Sequence, residues 1–187
     1  MKKILLGLTI LSAFAATAAQ AESTIGARGN IDFVGSINAD SCSVRSTGAS
    51  SSGANMQVDM GPVAAKTLGT EAAPATSEGG LASIAKNIDL HVECATGTKV
   101  SLKLTPTSVS GKGIAVTGGA QNVQIMLVSD QKILDFTNGN TTLDAPYVEG
   151  SINIPLTAYY TRKAGSDVAD VVGGQANATV AYELSYE

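Results

Sequence analysis

The stretch Gly174-Gln175-Ala176-Asn177-Ala178-Thr179-Val180-Ala181-Tyr182-Glu183-Leu184-Ser185-Tyr186-Glu187 decides the fold. Ala176, Ala178, Val180, Tyr182, Leu184 and Tyr186 alternate with other residues without a break. A period of two puts successive side chains on opposite faces of an extended chain, so the stretch reads as a β-strand with one apolar face. Chain ends are normally polar and frayed. A strand that continues to the penultimate residue has no later segment to pair with, and it can present an edge.

The same period governs the rest of the chain, and no apolar run of helical period extends beyond three turns. Ile88, Leu90, Val92 and Cys94 share one face of a strand, and Val100, Leu102 and Leu104 follow after a turn at Thr96-Gly97. Val123, Ile125 and Leu127 form another strand, and Ile133 to Phe136 a short one. Ile152, Ile154, Leu156, Ala158 and Tyr160 make one long strand. Loops rich in Gly, Ser and Pro are expected at Ser46 to Ala54, Gly69 to Gly80, Ser108 to Ala120, Asn138-Gly139 and Gly165 to Gly174. Short strands punctuated in this way indicate an all-β sandwich.

Composition agrees, because 15% charged residues lies well under the roughly 25% of ordinary globular domains. Lys2 and Lys3, the apolar run from Ile4 to Ala16 and the small-residue site Ala19-Gln20-Ala21 have the form of a signal peptide over residues 1–21. That segment carries two of the 12 basic residues and none of the 16 acidic ones, so 10 basic against 16 acidic gives the mature chain a net charge of −6. Such a surface does not attract nucleic acid. Export also delivers Cys42 and Cys94, the two cysteines of the chain, to an oxidising compartment where they are expected to form a disulfide.

The N-terminus of the mature chain is a second end written as a strand. Ile25, Ala27, Gly29, Ile31 and Phe33 alternate before the body of the fold begins. An extended apolar segment and an exposed sheet edge are the two halves of β-strand addition. When one chain carries both and cannot pair them internally, contacts run head to tail and build a filament.

These features together resemble the pilin subunits of the chaperone–usher pathway, the type 1 fimbrial major-subunit family. The run Gly29-Asn30-Ile31-Asp32-Phe33-Val34-Gly35-Ser36-Ile37 leading to Cys42-Ser43-Val44 resembles that family's N-terminal extension and first strand. Asp89-Leu90-His91-Val92-Glu93-Cys94 resembles the strand with the second cysteine, and Ile154-Pro155-Leu156-Thr157-Ala158-Tyr159-Tyr160 a late strand. The C-terminal positions Gly174, Ala176, Ala178, Val180, Tyr182 and Tyr186 match the family's terminal signature, with Leu184 and Glu187 completing it. The resemblance implies an incomplete immunoglobulin-like sandwich over residues 37–187 that lacks its final strand. It implies an N-terminal extension over residues 22–36 that donates one to another copy, with Ile25, Ala27, Gly29, Ile31 and Phe33 facing the groove. Its partners would be neighbouring pilins, a periplasmic chaperone that holds the Glu187 carboxylate, and an outer-membrane usher. The protein would pass through the periplasm into an extracellular fimbrium. The region Gly61 to Lys86 is longer than the family pattern leads one to expect.

Other readings are weaker. A single His91 and no Trp leave little for acid–base catalysis, and no catalytic residue, metal or cofactor is expected. Ser83-Ile84-Ala85-Lys86 matches S-x-x-K without the accompanying motifs, and Gly111-Lys112-Gly113 lacks P-loop spacing. An adaptor or terminator pilin, or a monomeric secreted binding protein, are the alternatives to a shaft subunit.

Overall fold

A computed structural model describes residue 30 and residues 42–52, 55–94, 99–146 and 151–186. The chain separates into the units Met1–Ile37 and Asn38–Glu187, and the fold is that of the second. Its first strands are β1 (Ser43–Ser46), β2 (Ser50–Ser52), β3 (Asn55–Gln57), β4 (Ala85–Asn87), β5 (Leu90–Glu93), β6 (Lys99–Pro106), β7 (Val109–Ser110) and β8 (Gly113–Ala115). They are followed by β9 (Val123–Ser129), β10 (Lys132–Ile133), β11 (Thr141–Pro146), β12 (Ser151–Ile154), β13 (Thr157–Arg162) and β14 (Val180–Tyr186).

Two of the sheets, β1-β5-β12 and β4-β13-β9-β8-β7, share the chain segments that pass from β4 to β5 and from β12 to β13. They therefore form one bent layer. The other layer is β11-β6-β14, with β6 in the middle. Between the layers lies one apolar cluster that includes Leu90, Val92, Val100, Leu102, Leu104, Ile125, Leu127, Phe136, Ile152 and Ile154. Alternation along β5 and β6 supplies it as the sequence indicates. Cys42 and Cys94 are bridged where β1 lies antiparallel to β5. His91 sits half-buried on β5 opposite Arg45 and Asn153.

Several local expectations change. The long strand over Ile152 to Tyr160 is two strands, because Pro155 has no N–H to give to a ladder. β12 pairs with β5, and β13 pairs with β9. The final strand becomes regular only at Val180, since the backbone ahead of it is bonded to Thr117, Ala120 and Gln121 instead. The loop at Ser46 to Ala54 contains β2, which pairs with β3 just beyond it, and the loop at Ser108 to Ala120 contains the hairpin of β7 with β8. The Gly111-Lys112 turn closes the second, with Gly111 at φ +57. β11, not expected from the sequence, pairs with β6.

β9 departs from simple alternation most clearly, because Gln124 and Met126 are as buried as Ile125 and Leu127. The Gly61–Ser83 segment explains this. Its Gly69 carbonyl accepts the Arg162 N–H at 2.9 Å. Glu71 Oε2 then accepts Gln124 Nε2 at 3.3 Å and the Lys112 N–H at 3.0 Å. Arg162, 2% exposed, holds the segment through Glu78, whose Oε2 is 3.2 Å from its Nη2, and donates to the Ser166 carbonyl at 3.0 Å. Arg162→Ala should therefore cost about 2 to 3 kcal/mol, the value of charge-assisted bonds plus packing. Glu78→Gln should cost under about 1 kcal/mol, because that carboxylate is solvated. Equal losses for both in urea denaturation would contradict the clamp.

Candidate strand-acceptor cleft

β14 has a single neighbour among the described residues, β6. The register places Leu184 opposite Leu102 and Tyr186 opposite Val100, so these side chains share the core-facing side. Val100 and Leu102 are fully buried, whereas Val180, Tyr182, Leu184 and Tyr186 are only half covered. A cleft of about 1720 Å³ lies beside the Val180–Tyr182 end of β14. One wall is the run from Val171 to Tyr182, and the facing wall is Asn55 to Val63. The floor is the core itself, where the buried Leu90, Leu104, Ile125, Leu127 and Leu156 line the cleft. Val172, 46% exposed, stands on its rim.

The sequence-derived positions fall as follows. Gly174, Ala176, Ala178, Val180 and Tyr182 line the cleft. Leu184 and Tyr186 continue the same face of β14. Ile25, Ala27, Gly29, Ile31, Phe33 and Glu187 lie outside the described residues. The facing wall was missed, although Met56, Val58 and Met60 alternate in the sequence, and Met56 and Met60 pack against the core.

Gly174 has a steric reason to be glycine. A Cβ there would lie 2.6 Å from the Ala120 nitrogen and from the Gly119 carbonyl carbon, both backbone atoms. Only a residue without a side chain lets the wall pass this loop so closely. Beyond it, Asn177 exchanges both backbone bonds with Thr117 at 2.8 Å, and the Thr179 carbonyl accepts the Thr107 N–H at 3.0 Å. The wall is thereby fixed on the side away from the cleft. Tyr160 rises from the floor on β13, paired with Ile125, and its hydroxyl donates to the Ala176 carbonyl at 2.6 Å. Among the described residues no cluster of three or more His, Cys, Asp or Glu is arranged for a metal ion.

A family model described as fimbrial protein matches residues 31–187. The chain belongs to the fimbrial protein family. Membership makes it a pilus subunit at the cell surface. No protein of curated function matches it in sequence. Among solved structures, the P pilus rod subunit PapA aligns with a TM-score of 0.53 at 19% identity, over 78% of this chain and 99% of that one. A chaperone–usher pilus structure concerned with rod uncoiling aligns with a TM-score of 0.55 at 18% identity, over 89% of this chain and 100% of that one. The CupB6 tip adhesin of Pseudomonas aeruginosa is 20% identical with a TM-score of 0.47 over 55% of this chain, which spans 30% of the adhesin. At these identities the likeness of this fimbrial protein to the rod subunits is one of fold, an all-β sandwich.

Two outcomes follow from the wall's construction. Gly174→Ala should cost about 1 to 3 kcal/mol in chemical denaturation, as backbone cannot yield as a flexible side chain would. A neutral substitution would show that the wall is free to move. Burial first, and then the charge of Asp59, hold the Tyr160 phenol above its ordinary pKa of 10.0. The folded state thus keeps this proton more tightly than the unfolded chain does. Its contribution is complete below about pH 10 and is lost as pH rises through the folded value. Stability above about pH 10 should fall more steeply for the wild type than for Tyr160→Phe, and parallel curves would contradict the assignment.

Proposed function

We propose that this fimbrial protein is a structural subunit of a chaperone–usher pilus shaft and that it polymerises by donor-strand exchange. The cleft beside β14 accepts the segment Thr24 to Val34 of a neighbouring copy. The observation that carries the reading is the coincidence of an edge strand with a cleft whose floor is the hydrophobic core. A strand laid there adds backbone hydrogen bonds to the sheet and covers the half-buried face of β14. Length supports the match. At about 3.3 Å per residue the segment extends over roughly 36 Å, and the wall from Gly174 to Tyr186 over roughly 43 Å.

On this reading a chaperone occupies the cleft first and gathers the C-terminal carboxylate of Glu187, and the usher exchanges it for the next subunit's N-terminal segment. Ile25, Ala27, Gly29, Ile31 and Phe33 then enter the cleft, Gly29 where it is shallowest. Burial of each large side chain contributes about 1.5 to 3 kcal/mol.

The test is a fusion that carries a second copy of residues 24–36 after Glu187 through a flexible linker. Its thermal midpoint should exceed that of the mature protein by more than about 15 °C. Introducing Ile31→Asp or Phe33→Asp into the appended copy should abolish the gain. An unchanged midpoint for the unmutated fusion would mean that the cleft takes no strand from this chain.

A further inference from the structure

The wall of the cleft already has one of its backbone groups in use. In an extended chain successive carbonyls point to opposite edges. The Thr179 carbonyl and both backbone groups of Asn177 point away from the cleft, to Thr107 and Thr117. The Gln175 carbonyl likewise turns to the Ala120 N–H, so the Ala176 carbonyl, between those of Gln175 and Asn177, points to the opposite edge, where it accepts the Tyr160 hydroxyl. The Tyr160 ring belongs to the floor, so the bond spans from floor to rim. On the facing wall lies Asp59, whose Oδ1 accepts the Gly61 N–H at 2.9 Å and whose negative charge is felt at the phenol. The end of the cleft nearest Gly174 is thus crossed by a side chain.

We propose that Tyr160 is a displaceable bar across this end of the cleft, holding the Ala176 carbonyl that a docked strand's backbone N–H must take, so that complete docking requires the Tyr160–Ala176 bond to break. The proposal rests on the strand-acceptor reading and concerns its control. The exchange is balanced in hydrogen bonds. The arriving N–H donates to Ala176, and the released hydroxyl turns to the Asp59 carboxylate or to water, so the bar slows entry without weakening the finished assembly. A strand that pairs only with Val180 to Tyr186 leaves the bar in place. Tyr160 therefore sets the rate at which a full-length donor completes its docking.

The experiment mixes the mature protein with a fluorescein-labelled peptide of residues 24–36 and follows polarisation in a stopped-flow instrument, for the wild type and for Tyr160→Phe. The peptide should bind both, and its association should be about three- to tenfold faster to Tyr160→Phe, the effect of deleting one hydrogen bond from the barrier. A peptide lacking its last residues at either end in turn should show the acceleration for only one truncation, the one that retains the residue meeting Ala176. Binding to both proteins at the same rate, or more slowly to the variant, overturns the bar and leaves the acceptor reading standing. Binding to neither overturns the acceptor reading, and the bar with it. In the wild type labelled with ¹³Cζ-tyrosine, the Tyr160 resonance should move when peptide saturates the cleft. A resonance fixed at its free position while peptide is bound overturns the proposal independently of any substitution.

Discussion

The pairing of β14 with β6 is the constraint on which the molecule turns. It places Leu184 and Tyr186 directly beside Leu102 and Val100 on one face. Along the far side of β14, among the described residues, runs the cleft. A sandwich normally closes both flanks of its core with strands. Here β11 bounds one flank of β6, while β14 bounds the other beside an apolar trough. Val180 and Tyr182, which line the trough, are half-covered. Every residue of the C-terminal signature that lines the trough has its place from this geometry, small at Gly174, Ala176 and Ala178 where the wall passes a neighbouring loop, and large from Val180 onward where it meets the core.

Part of the rigidity of the domain lies outside its core. Some of it comes from the outer face of the bent layer, which in a free sheet would be solvated. Gly69, Glu71 and Glu78 cover it through bonds to Arg162 and Gln124, and Leu68 is buried nearby. The disulfide ties the entry of β1 to the end of β5. None of these contacts uses the groups that line the rim of the trough at Ala176 and Ala178. The anchoring of the sheet and the openness of the trough are thus separable, and a substitution at Arg162 need not alter strand entry.

Much of this was legible in the sequence where period two and a single buried face coincide. β5, β6 and β14 satisfy that condition, and Leu90, Val92, Val100, Leu102 and Leu104 fall in the core as the alternation indicates. The same rule failed on β9, because Gln124 and Met126 are buried by a segment distant in the chain, and periodicity carries no information about what lies on the second face. It failed again at Pro155, where the side chains of Ile152, Ile154, Leu156 and Ala158 keep their phase and their burial while the strand changes sheet. Alternation reports which way side chains point, not which ladder the backbone joins. The wall from Met56 to Met60 is visible as a short alternation between Ser- and Gly-containing stretches, and no element is assigned to it from the sequence. Tyr160 was read as one more inward residue of its strand, and its reach to Ala176 depends on a tertiary contact that no spacing encodes.

An apolar trough open to water has a physical cost that bears on function. Exposed edges and apolar surface invite pairing with any available strand. A subunit that must meet one partner therefore gains from a feature that disfavours partial or wrong strands more than the right one. Burial alone discriminates poorly, since one methylene more or less changes transfer energy by only about 0.8 kcal/mol. Backbone hydrogen bonds discriminate by position, because an incoming strand either reaches Ala176 or stops short of it. On the proposed reading, Tyr160 already satisfies that carbonyl, so a strand of full length would exchange one hydrogen bond for another there and would gain over a short one through the side chains it buries on the floor. On that reading the trough selects by the length and register of the side chains that enter it, and persistence afterwards would come from the slow rate at which a fully docked strand unpairs.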